Sequence, residues 1–472
     1  MKIDPHPVRE KDRNAGLCTR RFFREEDGMV TIFVCYMILI MLMIGGIGVD
    51  VMRNEMERTR IQSVSDRAVL AAADLDQPLD PKTVVEDYFA KSGMSDYLAS
   101  VVVDEGLNYR TVEVDAKSTM KTQFMKMMGV DTLIVPARAK AEEKVNKVEI
   151  SMVLDISGSM RENNKMENLH VAAGKFIDTV LRPETRDLIS INVVPYTAQV
   201  NVGRAIFDEL NIDRTHYFAH CVDFEQSDFH VAGLEQAKKY THMQYFEAGY
   251  NWNKKKTENS INNPGCPKRS FEEVAAFSQS NTDLKSRINQ FRPRANTAIH
   301  LGMKWGVAML DPSFRTITQK LPVDTAFAAR PADYTDIETM KTVILMTDGK
   351  NVNTVRIRNE KYANSSHRRD WSIYPLYYWL EKNVKKQRKY GDWAYIKYSS
   401  GQADTMLQNI CNAAKAKKII IWSIGFEVSN DSAQVMRDCA SSPSHFFRVE
   451  GVEISEAFEA IARQINQLRL VL

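Results

Sequence analysis

The sequence predicts a mixed α/β protein: an N-terminal transmembrane helix and stalk, a small α+β module, then a doubly wound parallel sheet with two large insertions. Three observations predict it. Residues 29–51 form an apolar run with no charge before Asp50, apolar strand-like runs alternate with helical patterns after Lys147, and acids and hydroxyls stand where those runs end. A chain of 472 residues exceeds what one hydrophobic core organises, so two or more folded units are expected. Its 63 basic and 60 acidic residues leave a formal net charge of +3. That near balance gives no general pull toward nucleic acid or an anionic surface.

The run MVTIFVCYMILIMLMIGGIGVDV (Met29 to Val51) matches the roughly 20 residues a helix needs to cross a bilayer. A cleaved secretory signal is the competing reading. Its apolar region is usually shorter, and no small-x-small site precedes Arg53-Asn54-Glu55. Arg9, Lys11, Arg13, Arg20, Arg21 and Arg24 outnumber Arg53, Arg58 and Arg60, which puts residues 1–28 in the cytoplasm and everything after Val51 outside. Asp50, at the outer end of the span, is expected to reach water at the interface. Gly45, Gly46 and Gly48 either admit a neighbouring helix or are incidental. Cys221, Cys266, Cys411 and Cys439 form an even set beyond the span, whereas Cys18 falls in the tail and Cys35 within lipid. Two disulfides are expected, with three pairings open, and the absence of a paired C-x-x-C argues against structural zinc.

From Arg53 to Leu75 the apolar positions Ile61, Val64, Ala68, Leu70 and Ala71 recur near helical spacing, predicting a stalk that continues out of the membrane. Asp76 to Pro81 breaks it. Val101 to Ala116 alternates as strands do, a short amphipathic piece follows at Phe124 to Met128, and Thr132 to Val135 reads as a strand, so residues 52–145 hold the stalk and a small α+β module. From residue 146 to 472 the rhythm changes. Strands are predicted at VEISMVLDIS, Leu188 to Pro195, Thr342 to Met346 and Lys418 to Gly425, and helices at His170 to Leu181, Ala298 to Leu310, Thr405 to Lys417 and Ile454 to Leu468. Such alternation predicts a parallel sheet covered on both faces. Residues 208–294 and 351–401 break the pattern and read as insertions.

Asp155-Ile156-Ser157-Gly158-Ser159 places oxygen-bearing side chains at alternate positions of a turn that ends an apolar strand. These can converge on one cation, and Gly158 permits the tight path. The blander reading is a polar strand-to-helix turn with a serine cap. Thr297 opens a predicted helix after the loop RPRAN, and Asp348 follows the strand TVILM. In an open α/β sheet the strand C-terminal ends share one edge, so Asp155, Ser157, Ser159, Thr297 and Asp348 can share a crevice. All-oxygen donors suit Mg²⁺, or Mn²⁺ in its place.

In these motifs the chain resembles the von Willebrand factor A (vWA) family, a Rossmann-like fold whose metal-ion-dependent adhesion site combines D-x-S-x-S, a downstream Thr and a strand-end T-D-G. The resemblance implies that Ser157 and Ser159 ligate the cation directly. It implies that Thr297 does so directly or through water, that Asp155 and Asp348 act through bound waters, and that a partner carboxylate takes the open position. Gly28, the span, Val49-Asp50, Gln62, Asp66, Ala68, Leu70 to Ala73, Val194-Pro195-Tyr196, Cys411, IIIWSIGF, Cys439-Ala440-Ser441 and the last helix narrow the likeness. They resemble TadG-like proteins of tight-adherence (Flp) pilus assembly. That resemblance implies a bacterial inner-membrane protein with a periplasmic C-terminal domain and a Cys411–Cys439 bridge, which leaves Cys221 with Cys266. Related TadE proteins are processed after a Gly that precedes a Glu-containing apolar segment; here Gly28 precedes MVTIF, which has no acid.

Competing chemistry fits less well. His300, Ser157 and Asp348 could be cast as a nucleophilic triad, but a hydrolase elbow wants G-x-S-x-G and Asp155 stands where its first Gly would be. A phosphoryl-transfer aspartate would want an acid at 157 and a partner Lys, neither of which the sequence identifies. The second insertion interleaves Arg356, Arg358, Arg368, Arg369, Lys382, Lys385, Lys386, Arg388 and Lys389 with Trp371, Tyr374, Tyr377, Tyr378, Trp379, Tyr390 and Trp393. It reads as a solvated face over an aromatic mini-core, or as a contact surface for an acidic protein or glycan overhanging the cation; the compartment disfavours nucleic acid. The expected function is non-enzymatic recognition of an Asp or Glu on a partner through Mg²⁺. A structural envelope tether and a metal-dependent hydrolase are the alternatives.

Overall fold

The computed structural model describes residues 27–74, 77–105, 109–144, 147–249 and 257–471. Residues 1–26 of the predicted cytoplasmic tail, Cys18 among them, lie outside these. The chain divides after Lys144 into two compact units.

In the first unit one uninterrupted helix, α1 (Asp27–Ala73), runs through both the predicted span and the predicted stalk. It is long and apolar enough to cross a membrane. Val30 to Ile44 are largely exposed, whereas Ile61, Val64, Ala68, Val69 and Ala72 are buried. That spacing of three and four puts a stripe of small and β-branched residues on one face. It packs on a three-stranded antiparallel sheet, β1 (Leu98–Glu105), β2 (Tyr109–Lys121) and β3 (Thr132–Lys144). Val112, Val114 and Ala116 pair with Ala141, Ala139 and Ala137, and alternation aims these side chains at the helix face. A helix absent from the sequence reading, α2 (Pro81–Lys91), completes the core with Val84, Val85 and Phe89. Its start is encoded locally: the Asp80 side chain accepts from Thr83 N–H at 3.0 Å, and Pro81 needs no donor at the first position.

The expectation that Asp50 reaches water is overturned. Its side chain is fully buried, because the loop between β2 and β3 folds over it and donates three backbone N–H groups, those of Gln123, Phe124 and Met125. Gly46 also has a defined neighbour, since an added Cβ would stand 2.5 Å from the Phe124 ring, while Gly45 and Gly48 meet nothing within 4 Å.

The second unit is built on a six-stranded sheet of β4 (Lys147–Asp155), β5 (Ile189–Tyr196), β6 (Ala275–Ser278), β7 (Thr339–Thr347), β8 (Ile420–Phe426) and β9 (Phe446–Val449). The order is β9-β8-β7-β4-β5-β6. Five strands run parallel, and β6 pairs antiparallel to β5 at the edge. Every residue of β5, and all of β4 but Lys147, is buried, so both faces of the sheet centre are covered. Helix α3 (Lys165–Val180) packs with α4 (Asn281–Ile288) and the closing helix Glu453–Val471, while α5 (Ile299–Ala308) packs with α6 (Ser400–Ala416). Gly302 and Gly306 let α5 lie close on the sheet: an added Cβ would stand 2.6 Å from Tyr196 and 2.3 Å from Val153 respectively.

The stretch read as a first insertion is not wholly outside the sheet. It supplies β6, fixed where Phe277 N–H donates to the buried Asn192 Oδ1 at 2.7 Å, and it supplies α4. Phe224, Phe229 and Tyr240 of the same stretch join the main core. Another part shares a small core with the second insertion, in which Cys221, Tyr245, Phe246 and Cys266 meet Ile357, Trp371, Leu376 and Trp379. Gln244 locks the two together, donating to Ile357 C=O (2.6 Å) and accepting from Ile357 N–H (2.7 Å). Disulfides join Cys221 to Cys266 and Cys411 to Cys439, the pairing the family resemblance implied.

Candidate metal and ligand site at the strand ends

Three neighbouring strands end around Asp155. Its Oδ1 accepts from Ser157 N–H at 2.7 Å, a turn in which a short acid mimics backbone, and its Oδ2 accepts from Thr347 Oγ1 at 2.7 Å. The Tyr196 hydroxyl lies 3.3 Å from the same Oδ2 and 3.0 Å from Met346 C=O. Tyr196 ends β5 and Thr347 ends β7, so the acid of β4 is gripped from both sides.

Ser157 Oγ lies 3.1 Å from Ser159 Oγ, which donates to Asp348 Oδ1 at 2.6 Å. The tight path here has a visible cause: Gly158 N–H donates to Ala295 C=O at 3.2 Å, and a Cβ at Gly158 would stand 3.0 Å from that oxygen. The same loop delivers Thr297. Its C=O accepts from Val352 N–H (3.1 Å), and the next residue, Ala298, donates to Thr197 C=O (2.8 Å). A Cβ at Gly349 would lie 3.6 Å from Ser159 Oγ and 3.7 Å from Thr297 Oγ1, so both hydroxyls border the space that this glycine leaves open. The structure therefore joins Asp155 to the Ser157 backbone and Ser157, Ser159 and Asp348 to one another, with Thr297 beside them.

Sequence reasoning missed a cation in this cluster. Lys165 Nζ lies 3.0 Å from Asp348 Oδ2 and 3.6 Å from Glu427 Oε2, and its side chain is 6 % exposed. Glu427 also accepts from Asn163 Nδ2 at 2.7 Å. Lys165 opens the helix after D-x-S-x-S, a nearness the sequence displayed, but its pairing with Asp348 crosses 183 positions. Even so, negative charge is in excess, with Asp155, Asp348 and Glu427 around one ammonium. Burial, reinforced by the charge of Asp348, pushes the Asp155 carboxyl up to about 7.

Among the described residues, no group of three or more His, Cys, Asp and Glu side chains is placed to hold a metal. The cluster has two acids at its centre and takes its other oxygens from hydroxyls. That donor set is wholly hard oxygen, and its surplus negative charge calls for a positive partner, so the residues fit a small divalent ion.

His300, which the sequence could cast in a nucleophilic triad, is buried in the core, where its Nδ1 lies 3.1 Å from Asn351 Oδ1 and burial holds its ring down to about 4. Asp155 is fully buried, with both carboxyl oxygens accepting hydrogen bonds. In the second insertion Trp371, Trp379 and Trp393 pack on one another, with centroids 4.8–4.9 Å apart for the pairs that include Trp379. Lys382, Lys385, Lys386, Arg388 and Lys389 are exposed. The solvated face over an aromatic mini-core is what forms, with Tyr395 of the same insertion left 38% exposed under the Arg358 guanidinium. Arg356 is spent on a bidentate pair with Asp223 at 2.7 and 2.9 Å. A pocket beside Thr297 is lined by Met243 and Phe246 of the first insertion and by residues 352–356, which open the second.

Among solved structures the chain is similar to the vWF domain of the type V pili tip protein Mfa5 from Porphyromonas gingivalis, at 12% identity and TM-score 0.36, covering 68% of this chain and 96% of that one. It is similar to the pilus adhesin SpaC from Lactobacillus rhamnosus GG at 14% identity and TM-score 0.32, covering 78% of this chain and 34% of that one, so it spans about a third of SpaC. It is also similar to the adhesive tip pilin GBS104 from Group B Streptococcus agalactiae, at 11% identity and TM-score 0.34, covering 68% of this chain and 100% of that one. The architecture stands on the strand order and register given above rather than on these likenesses. No curated protein matches the sequence. Residues 28–75 match the family model described as putative Flp pilus-assembly TadE/G-like, over the helix whose Gly28, Asp50, Gln62 and Asp66 carried that resemblance.

Proposed function

We propose that this chain is a membrane-anchored, non-enzymatic recognition or assembly protein of a pilus or adhesion system. Its second unit is a doubly wound domain of the vWA kind that binds an acidic group on a partner through Mg²⁺ or Mn²⁺. The observation that carries this is the run from Ser157 through Ser159 to Asp348 at adjacent strand ends, beside the fully buried carboxyl of Asp155.

Ser157, Ser159 and Thr297 would offer hydroxyl oxygens, and Asp155 and Asp348 would act from behind them. The ion would supply positive charge for one anionic oxygen of the partner. The chain's own residues do the rest. Thr347 and Tyr196 orient Asp155, Lys165 holds the far oxygen of Asp348, and Gly349 leaves the space between Ser159 and Thr297 clear. Both insertions border the adjoining pocket, which suits them to choosing among partners, and the exposed lysines and arginines favour an acidic one.

The membrane reading rests on α1 and on the basic residues before it. It puts the N-terminus in the cytoplasm, α1 through the bacterial inner membrane, and the second unit in the periplasm. The discriminating experiment is capture of envelope and pilus components by the full-length chain, with Mg²⁺ and with chelator. Recognition through the ion predicts capture that chelator abolishes. Capture that survives chelator would favour a structural tether in which the metal serves stability alone.

A further inference from the structure

The loop joining β2 to β3 closes on α1 where the apolar run ends. The Phe124 ring lies on Gly46, with three of its side-chain carbons 2.5–2.7 Å from where a Cβ would be. One turn further on, Asp50 accepts from the N–H groups of Gln123 (3.0 and 3.1 Å), Phe124 (2.8 Å) and Met125 (2.8 Å), with the Arg53 guanidinium 3.7 Å away. The carboxylate thus caps the short helical turn Met125–Met128. An ionised acid at the rim of a bilayer is costly unless its lone pairs are taken, and here they are taken by backbone.

Beyond this seat the loop turns large apolar side chains outward. Phe124 is 41% exposed, Met127 78% and Met128 54%, with Lys121 and Lys126 exposed beside them. The adjoining turns of α1 are equally bare, Ile44 at 65% and Val49 at 44%.

We propose that the loop of residues 122–131 is a second membrane contact. It lies in the outer interfacial layer of the bilayer that α1 crosses, with Phe124, Met127 and Met128 against acyl chains and Lys121 and Lys126 at lipid phosphates. This rests on the reading of α1 as a span. The occupant is lipid because the patch is continuous with the apolar helix and fastened to it at two points, so its depth follows from the helix's own. Apolar side chains flanked by lysines match the boundary between hydrocarbon and headgroup. The contact gives the first unit two points of support, which sets its tilt and rotation against the membrane.

The test uses the full-length chain with Cys18 and Cys35 replaced by serine, in nanodiscs of phosphatidylethanolamine and phosphatidylglycerol. A nitroxide is placed in turn at Ile44→Cys, Met127→Cys and Lys140→Cys. Collision with dissolved oxygen should exceed collision with a water-soluble nickel chelate at 44 and 127, and the reverse should hold at 140. An aqueous pattern at 127 with a lipid pattern at 44 overturns the loop contact and leaves the span intact. An aqueous pattern at 44 removes the span and the proposal with it. Spin–spin broadening at 127 that vanishes on dilution with unlabelled protein assigns the patch to a second copy of the chain, and overturns the lipid contact as well.

Discussion

Ser159 Oγ donates to Asp348 Oδ1 across 2.6 Å, joining residues 189 positions apart in the chain. Asp348 is shared, because Lys165 holds its other oxygen at 3.0 Å. A metal bound in this cluster and the lysine would therefore answer the same negative charge.

Replacing that lysine separates their contributions. Lys165→Met leaves Asp348 buried without its ammonium, which should destabilise the metal-free chain by about 3–5 kcal/mol. The shift in melting temperature on adding Mg²⁺ should grow, since the ion would then compensate a larger charge. Calorimetry with and without Mg²⁺ checks both, and an unchanged Mg²⁺ response would mean that the lysine and the ion do not share Asp348.

Acid should weaken the second unit through a close pair of tilted imidazoles. His216 and His242 lie 3.9 Å apart by ring centroids, each with Nε2 at a carbonyl, of Met243 and Ala219, and Nδ1 accepting a backbone N–H, of Phe218 and Thr215. A second ring proton would break the latter bond, and burial holds the two down to about 3 and about 4. The unfolded chain binds these protons first, below about 6.5. Their contribution is complete above that pH and declines as pH falls toward 4, by roughly 2 kcal/mol per ring at pH 5. Melting curves between pH 7.5 and 4.5 test this, and a His216→Gln/His242→Gln variant should show a flatter profile.

Close packing under the site should tolerate no extra carbon. Gly306→Ala puts a methyl against Val153 and should cost about 1–3 kcal/mol in chemical denaturation. Gly302→Ala presses on Tyr196, the residue beside Asp155, and should lower cation affinity as well as stability. A Gly302→Ala protein with unaltered affinity would dissociate Tyr196 from the site.

Trp371 and Trp379 share a core with Tyr245 and Phe246 of the first insertion, so deleting the second insertion would open that core. Reversing the exposed charges is cleaner. Lys385→Glu, Lys386→Glu, Arg388→Glu and Lys389→Glu should each shift stability by no more than about 0.5 kcal/mol, so the combined variant stays folded. Capture of an acidic partner should weaken and lose its salt dependence. Unchanged capture would remove the basic face from recognition.

What could be read from the sequence was whatever the sequence states locally. Asp155, Ser157 and Ser159 lie within five residues, Asp348 directly follows an apolar strand, and Thr297 precedes a helix; each carries its own signal. Lys165, Glu427 and the Asp50 cap were not legible, because each depends on a partner distant in the chain. Strand β6 was hidden by brevity, four residues in a stretch of irregular composition. The helix Pro81–Lys91 could have been found, since Asp80-Pro81 is a helix-start signal and Val84, Val85 and Phe89 follow at helical spacing.

The most direct test of the central claim is calorimetric titration of the full-length chain with Mg²⁺, beside Asp155→Ala and Ser159→Ala. The account predicts one site in the parent and affinity lower by about 10- to 100-fold or more in each variant. Equal affinity in all three proteins, or no saturable binding in the parent, would contradict it.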